Sequence, residues 1–334
     1  MYPGILSTIG GTPLIRLENL YPDSHFKLYA KLEAFNPGGS IKDRAAITIL
    51  QKAIDDGDIT PRTTIIESSS GNMGIGLAQS CAYLGLRFIC VVDVKTTKQN
   101  IKILEAYGAE IDLVSIPSAR TGEFLDARLE RVKELRRSIA NSFWPNQYSN
   151  LNNALAHRKT MDEVITELGE IDYLFCAAST CGTLRGCADF VREQKLKTKI
   201  FAVDAVGSAI FGGQKPSKRL IPGHGASVTP DLYQSNLAHR CVHLTDLECI
   251  LGCRRLIQQE AILAGGSSGA VVMAVEQVKD EIERNATCVL IFPDRGERYL
   301  DTIYSDEWVN HHFGDVSQLL NPALESEPCM VGAS

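Results

Sequence analysis

Short aliphatic runs alternate with helix-length segments whose apolar residues recur every three to four positions, and this alternation continues along most of the chain. Strands are expected at 26–33, 63–68, 87–93, 110–115, 171–178, 199–205, 241–245 and 287–293. Several are continuous apolar runs rather than alternating ones, which predicts sheets covered on both faces. Helices are expected within 72–84, 98–107, 122–139, 152–168, 183–193, 247–259 and 268–284. The stripe Ala45, Ala46, Ile49, Leu50, Ala53 and Ile54 predicts one more, starting just after Lys42. Strands alternating with helices give an α/β fold with a mainly parallel sheet. Ligands of such folds bind at the carboxyl ends of strands, so the loops after each strand are where chemistry is expected.

Composition narrows the function classes. A chain of 334 residues has room for two domains or one large one. With 44% apolar and 22% charged residues it has the make-up of a soluble globular protein with a sizeable core. The net charge of −6 and the lack of a basic run leave no electrostatic footprint for nucleic acid. MYPGILSTIGG shows no basic segment leading into an apolar stretch, and no run approaches the ~20 apolar residues of a membrane span. A cytoplasmic protein, in contact with neither membrane nor nucleic acid, is expected. Of ten cysteines, Cys90, Cys176 and Cys288 sit inside apolar runs and read as buried thiols. Cys249 and Cys253 could share a helix face, but without a second ligand pair they read as ordinary cysteines, and no metal is expected. His311 and His312 read as solvent-facing. The polar, aromatic stretch 142–153, broken by Trp144-Pro145, reads as a domain junction, and residues 314–334 as a flexible tail.

Four loops carry candidate chemistry. In Asn36-Pro37-Gly38-Gly39-Ser40-Ile41-Lys42, a tight turn leads to a serine able to cap the next helix, and Lys42 falls in that helix's first turn. The helix dipole disfavours a cation there and lowers a lysine's pKa, which suits an amine that must act as a nucleophile. Ser68-Ser69-Ser70-Gly71-Asn72-Met73-Gly74 presents hydroxyls and amides at a helix N-terminus, an anion site that fits an α-carboxylate. Ser179-Thr180-Cys181-Gly182-Thr183 is a second such turn, suited to a phosphate, and Gly265-Gly266-Ser267-Ser268-Gly269-Ala270 opens a late helix. Any one of these reads equally well as a plain helix cap, and Lys42 alone as a solvated lysine. All four in one alternating α/β chain point to a ligand site.

Taken with Gly10-Gly11-Thr12-Pro13-Leu14 and Pro293-Asp294-Arg295-Gly296-Glu297-Arg298-Tyr299-Leu300, and in this order, these motifs resemble the cysteine synthase/cystathionine β-synthase family of fold-type II pyridoxal 5'-phosphate (PLP) enzymes over residues 6–310. The resemblance implies two three-layer α/β/α domains, as in tryptophan synthase β, with the active site between them. It implies a smaller, mobile domain at 38–148, a larger one from 1–37 and 149–313, and a homodimer. It also implies roles. Lys42 carries the cofactor and moves the substrate's Cα proton. Asn72 bonds the ring oxygen. Ser179, Thr180, Cys181, Gly182 and Thr183 cradle the phosphate, and Ser267 meets the ring nitrogen. Ser69, Ser70, Asn72, Met73 and Gln147 bind the substrate carboxylate. The implied reaction is β-replacement on a serine-derived amino acid by way of an aminoacrylate.

The chain departs from the family pattern of cysteine synthases at Met73, Cys181, Arg295 and the loop 207–223. In these it resembles a subgroup that joins O-phospho-L-serine to L-glutamate, the first step toward 2,3-diaminopropionate for siderophores or antibiotics. A phosphate leaving group and a dicarboxylic nucleophile both call for cationic donors. Arg219 and Arg295 are the candidates in substrate binding, with Lys215 and Arg185 behind them. A cysteine synthase using sulfide is the alternative reading. A dehydratase, a cystathionine synthase and a catalytically silent binding subunit are more distant ones.

Overall fold

The computed structural model describes residues 4–212 and 217–320. In chain order its elements are β1 (Leu14–Arg16), β2 (Lys27–Leu32), α1 (Lys42–Asp55), β3 (Thr64–Ser68), α2 (Asn72–Leu84), β4 (Arg87–Asp93), α3 (Lys98–Ala106), β5 (Glu110–Val114), α4 (Phe124–Ser138), β6 (Ser142–Phe143) and α5 (Leu151–Leu168). There follow β7 (Tyr173–Ala177), α6 (Gly182–Glu193), β8 (Lys199–Ala205), β9 (Arg240–Leu244), α7 (Asp246–Glu260), α8 (Gly266–Val278), β10 (Thr287–Phe292), α9 (Asp306–Phe313) and α10 (Ser317–Leu320).

The strands form two sheets. One has the order β1-β2-β10-β7-β8-β9 and is parallel except for β1, which runs antiparallel to β2. The other, β5-β4-β3-β6, is wholly parallel and is built from residues 64–143. Both are covered on two faces, which explains the unbroken apolar runs. In β7, Tyr173 and Phe175 enter the core under α7 and α8, while Leu174 and Cys176 enter the core under α5 and α6. In β10, Cys288, Leu290 and Phe292 alternate with Val289 and Ile291 in the same way. In the smaller sheet Ile65 packs with α1 and α2, whereas its neighbour Ile66 packs with Val132 of α4.

Two helix contacts depend on missing side chains. A Cβ on Gly186 of α6 would lie 2.1 Å from Ala154 O of α5. One on Gly269 of α8 would lie 2.0 Å from Cys249 O of α7. The last glycine of the Gly-Gly-Ser-Ser-Gly motif therefore serves helix packing. Cys249 and Cys253 are fully buried beside it and belong to the core. Thr245 and Glu248 close a capping box on α7.

The structure adds β1, β6 and α9 to the expected elements, and further differences lie toward the end of the chain. The helix expected over 268–284 stops at Val278, and Lys279–Glu281 form a separate 3-10 turn. Ser317–Leu320 form a helical turn inside the segment expected to be irregular, and residues 321–334 of that tail lie outside the described residues. His311 is exposed, but His312 is half-buried, with its ring 4.1 Å from that of Trp308. Among the described residues no helix is long and apolar enough to cross a membrane.

Candidate active site

Lys42 is the first residue of α1, and its backbone is tied down on both sides. Its amide donates to Ser40 Oγ at 3.2 Å, and Ile41 N donates to Pro293 O at 2.7 Å. Gly39 turns the chain with φ of 85°, a conformation that glycine adopts without strain. Behind Lys42, Arg44 is buried against Glu33 and Glu163, and Gly11 N donates to Glu163 Oε1 at 2.9 Å. The Gly-Gly-Thr-Pro-Leu motif thus takes part in a buried charge network under the lysine loop. Burial pushes the Lys42 ammonium below its ordinary pKa, against the opposing pull of Asp294 and Cys181. A lysine in that state reaches its neutral, nucleophilic form more readily.

Lys42 lines a cavity of about 320 Å³ formed by the segments that follow β3, β7 and β10. Also on its walls are Ser69, Ser70, Asn72, Met73, Gln147, the turn Ser179 to Thr183, Arg219 and Ser267. Residues far apart in sequence are thereby brought together, most of them where an element ends or begins and Gln147 and Arg219 in loops. Ser69 Oγ accepts from Gly74 N at 2.9 Å, inside the first turn of α2. Gln147 is held from behind, its amide donating to Glu67 Oε2 at 3.3 Å. Glu67 also accepts from Trp144 Nε1 at 3.0 Å, and burial pushes its carboxyl up to about 7.

The turn after β7 has the donor set that a phosphate-bearing cofactor requires. Cys181, with φ of 63°, precedes α6, whose first amides have no intrahelical acceptor. Ser179, Thr180 and Thr183 line the cavity beside that turn. Gly182 admits no side chain: a Cβ there would lie 2.2 Å from Asn153 Oδ1, and Asn153 Nδ2 in turn donates to Thr180 Oγ1 at 3.1 Å. Cys181 is a neutral thiol, pushed up to about 12 by burial and by Asp204. The residues present fit PLP: an amine, a phosphate-binding turn, an amide donor and an uncharged hydroxyl at Ser267, on the walls of one cavity.

One expected site residue is misplaced. Arg295 does not line the cavity: it is exposed, and its Nε donates to Ala34 O at 2.9 Å. Side chains alternate along extended backbone. Asp294, which pairs with Ser40, faces the cavity, so Arg295 faces away. The cation of that motif on the cavity wall is Arg298. Arg219 is on the wall, where its Nη1 donates to Gly207 O at 3.0 Å and Ala226 O at 2.7 Å. Arg185 is paired with Asp189 at 2.7 Å, and Lys215 lies outside the described residues.

The wall residues that escaped the sequence reading as ligand candidates include Arg128, Tyr148, Asp294 and Arg298. Arg128 of α4 is buried, with Nε 3.1 Å from Asp93 Oδ2 but out of hydrogen-bond alignment, and its Nη1 has no acceptor. As a guanidinium on the cavity wall, Arg128 is a candidate donor to an anion.

Comparison with known proteins agrees with this geometry. The profile of the family described as pyridoxal-phosphate dependent enzyme matches residues 5–294. The fold is similar to solved structures of O-ureido-L-serine synthase (28% identity, 98% of each chain, TM-score 0.84) and of an O-acetylserine dependent cystathionine beta-synthase from Helicobacter pylori (30% identity, 91% of this chain and 99% of that one, TM-score 0.84). It is similar also to O-acetyl serine sulfhydrylase isoform 3 from Entamoeba histolytica (32% identity, 96% of each chain, TM-score 0.85). The chain belongs to the pyridoxal-phosphate-dependent enzymes, in the fold-type II branch related to cysteine synthase.

Proposed function

We propose that the protein is an N-(2-amino-2-carboxyethyl)-L-glutamate synthase, replacing the phosphate of O-phospho-L-serine with the α-amine of L-glutamate. The observation that carries this reading is the set of cations around the Lys42 cavity. Arg128 and Arg219 line it together, and Arg128 has only one carboxylate, that of Asp93, close to it. A phosphate leaving group and a dicarboxylic nucleophile supply the anions that such a wall needs. The β-substituent of O-acetylserine is a neutral ester and brings Arg128 no charged partner, whereas that of O-phosphoserine does.

In this reading Lys42 holds the cofactor and, once freed by the substrate, takes the Cα proton and later returns it. Bound PLP supplies the electron sink that lets that proton and the β-substituent leave. Residues 179–183 bind the cofactor phosphate, Asn72 donates to the ring oxygen, and Ser267 offers the ring nitrogen an uncharged partner that does not hold a proton there. Ser69, Ser70, Met73 and Gln147 seat the α-carboxylate, and Arg128 draws the leaving phosphate. Residues 38–148 form the smaller, closing domain and two chains form a homodimer. The product feeds synthesis of 2,3-diaminopropionate.

A cysteine synthase is the second reading, favoured by the 32% identity to a structure described as an O-acetyl serine sulfhydrylase. Offering O-phosphoserine and O-acetylserine with glutamate, sulfide and homocysteine in parallel, and identifying products by mass, separates the two. The glutamate adduct of O-phosphoserine is expected to dominate. Cysteine as the main product, with no glutamate adduct, would overturn the proposal.

A further inference from the structure

Asn72 is gripped from across the chain. Its Nδ2 donates to Asp294 Oδ2 at 2.7 Å, and its Oδ1 accepts from Arg298 Nη1. Both partners lie more than two hundred residues away, in the segment after β10. The same Asp294 oxygen accepts from Tyr299 OH at 2.5 Å, and Arg298 Nη2 donates to Gly38 O. Asp294 is only 2% exposed, and its backbone pairs with Ser40, two residues before Lys42. The clamp therefore joins the segment after β10 to the lysine loop and to the start of α2.

This arrangement fixes which way the amide faces. Turning it over would set its oxygen against the Asp294 carboxylate and its NH₂ against the Arg298 guanidinium. Both contacts would be repulsive in a site where charges are poorly screened. One amide N–H is taken by Asp294, and the second is left over on a residue that lines the cavity. Hydrogen bonds at both ends also polarise the amide, strengthening the donor that remains.

We propose that Asp294 and Arg298 are positioning residues, which lock the Asn72 amide so that its free N–H is the donor presented to the cofactor. The inference rests on the reading that Asn72 binds PLP. It assigns two charges of the Pro-Asp-Arg-Gly-Glu-Arg motif, Asp294 and Arg298, to orienting a neighbour rather than to meeting substrate.

The test uses the holoenzyme and the variants Asn72→Ala, Arg298→Met, Arg298→Lys, Asp294→Asn and the double variant Asn72→Ala/Arg298→Met. Absorption spectra of the bound cofactor and its dissociation constant are the readouts, and thermal unfolding of the cofactor-stripped proteins checks the fold. Asn72→Ala is expected to shift the absorption maximum and to weaken PLP binding about tenfold. Arg298→Met should reproduce the shift, Asp294→Asn should do so in part, and Arg298→Lys should restore some of the native spectrum. The double variant should lose no more than Asn72→Ala alone. If Asn72→Ala shifts the spectrum while Arg298→Met and Asp294→Asn leave it native, or if the losses add in the double variant, the positioning role is overturned. A silent Asn72→Ala would instead remove the reading of Asn72 itself, and the proposal with it.

Discussion

The guanidinium of Arg44 meets the carboxylate of Glu33 side by side, Nε to Oε2 at 2.7 Å and Nη2 to Oε1 at 2.8 Å, with both side chains buried. Arg44 lies two residues beyond Lys42, so this pair holds the first turn of α1 against the segment after β2. Such a pair need not be more stable than an apolar substitute, but removing one partner strands the other charge. Arg44→Met is therefore expected to lower unfolding stability by about 3–5 kcal/mol. Urea unfolding measures it, and a loss within the ~1 kcal/mol of a surface pair would contradict the assignment.

Glu163 closes the same network, taking Arg44 Nη2 at 2.7 Å and Lys31 Nζ at 2.8 Å. Burial alone would raise its carboxyl, but the bonds from Arg44 and Lys31 hold it at about 2 instead of 4.5. A depressed folded-state value means that the stabilisation is complete above 4.5 and is lost as pH falls toward 2. The stability advantage of the native protein over Glu163→Gln should accordingly shrink across that interval. A pH-independent difference in denaturant unfolding would show that the charge is not what matters.

How much of this was legible depended on whether a residue's role was local. The stretches 88–92 and 173–178 could be read because alternate residues feed two cores and so none carries a charge. β1 and β6 were missed, as three and two residues carry no periodicity and exist only through pairing with β2 and β3. α9 was missed because its apolar anchors, Trp308 and Val309, gain meaning only against the core of the larger sheet. The loops of the site were visible because each sits in a cluster of turn-forming residues between two elements. Arg128 was not, since it belongs to a highly charged helix whose surface reads as solvated; only the fold turns that one arginine inward. Arg295 and Arg298 were indistinguishable until the direction of the backbone after β10 was known.

Lys42 is the residue on which the reading of the site turns. Lys42→Ala is expected to remove the visible absorbance of the bound cofactor while leaving the unfolding transition close to native. Turnover should fall by about 10²–10⁴-fold or more, the usual effect of losing a positioned acid–base group. A variant that kept the native spectrum would place the cofactor on another amine.

Arg128 separates the two substrate readings. Replacing it with methionine keeps most of its buried stem but removes the charge. The KM for O-phosphoserine should rise about 10–100-fold, the equivalent of a charge-assisted hydrogen bond, with kcat less affected. Slow turnover of O-acetylserine should hardly change, because its β-substituent is an uncharged ester. Equal losses on both esters in steady-state assays would mean that Arg128 supports α4 rather than the leaving group.

Glu67 offers a titration of opposite sign. It is buried behind the serine loop, where it accepts from Trp144 Nε1 and from the amides of Ser68 and Gln147. Burial outweighs these donors and raises its carboxyl from 4.5 to about 7. Between those values the folded protein keeps a proton that the unfolded chain has released, so the contribution of Glu67 to stability declines as pH rises from 4.5 to about 7 and is flat above it. Glu67→Gln, which cannot ionise, should gain on the native protein across that window, a trend measurable by urea unfolding at a series of pH values. The glutamine can also donate where the carboxylate only accepted, which disturbs the bond to Gln147 N. Its KM for the amino-acid substrate should therefore rise, and most above pH 7, where the native protein carries the full carboxylate. A stability difference that ignored pH would show Glu67 to be ionised throughout.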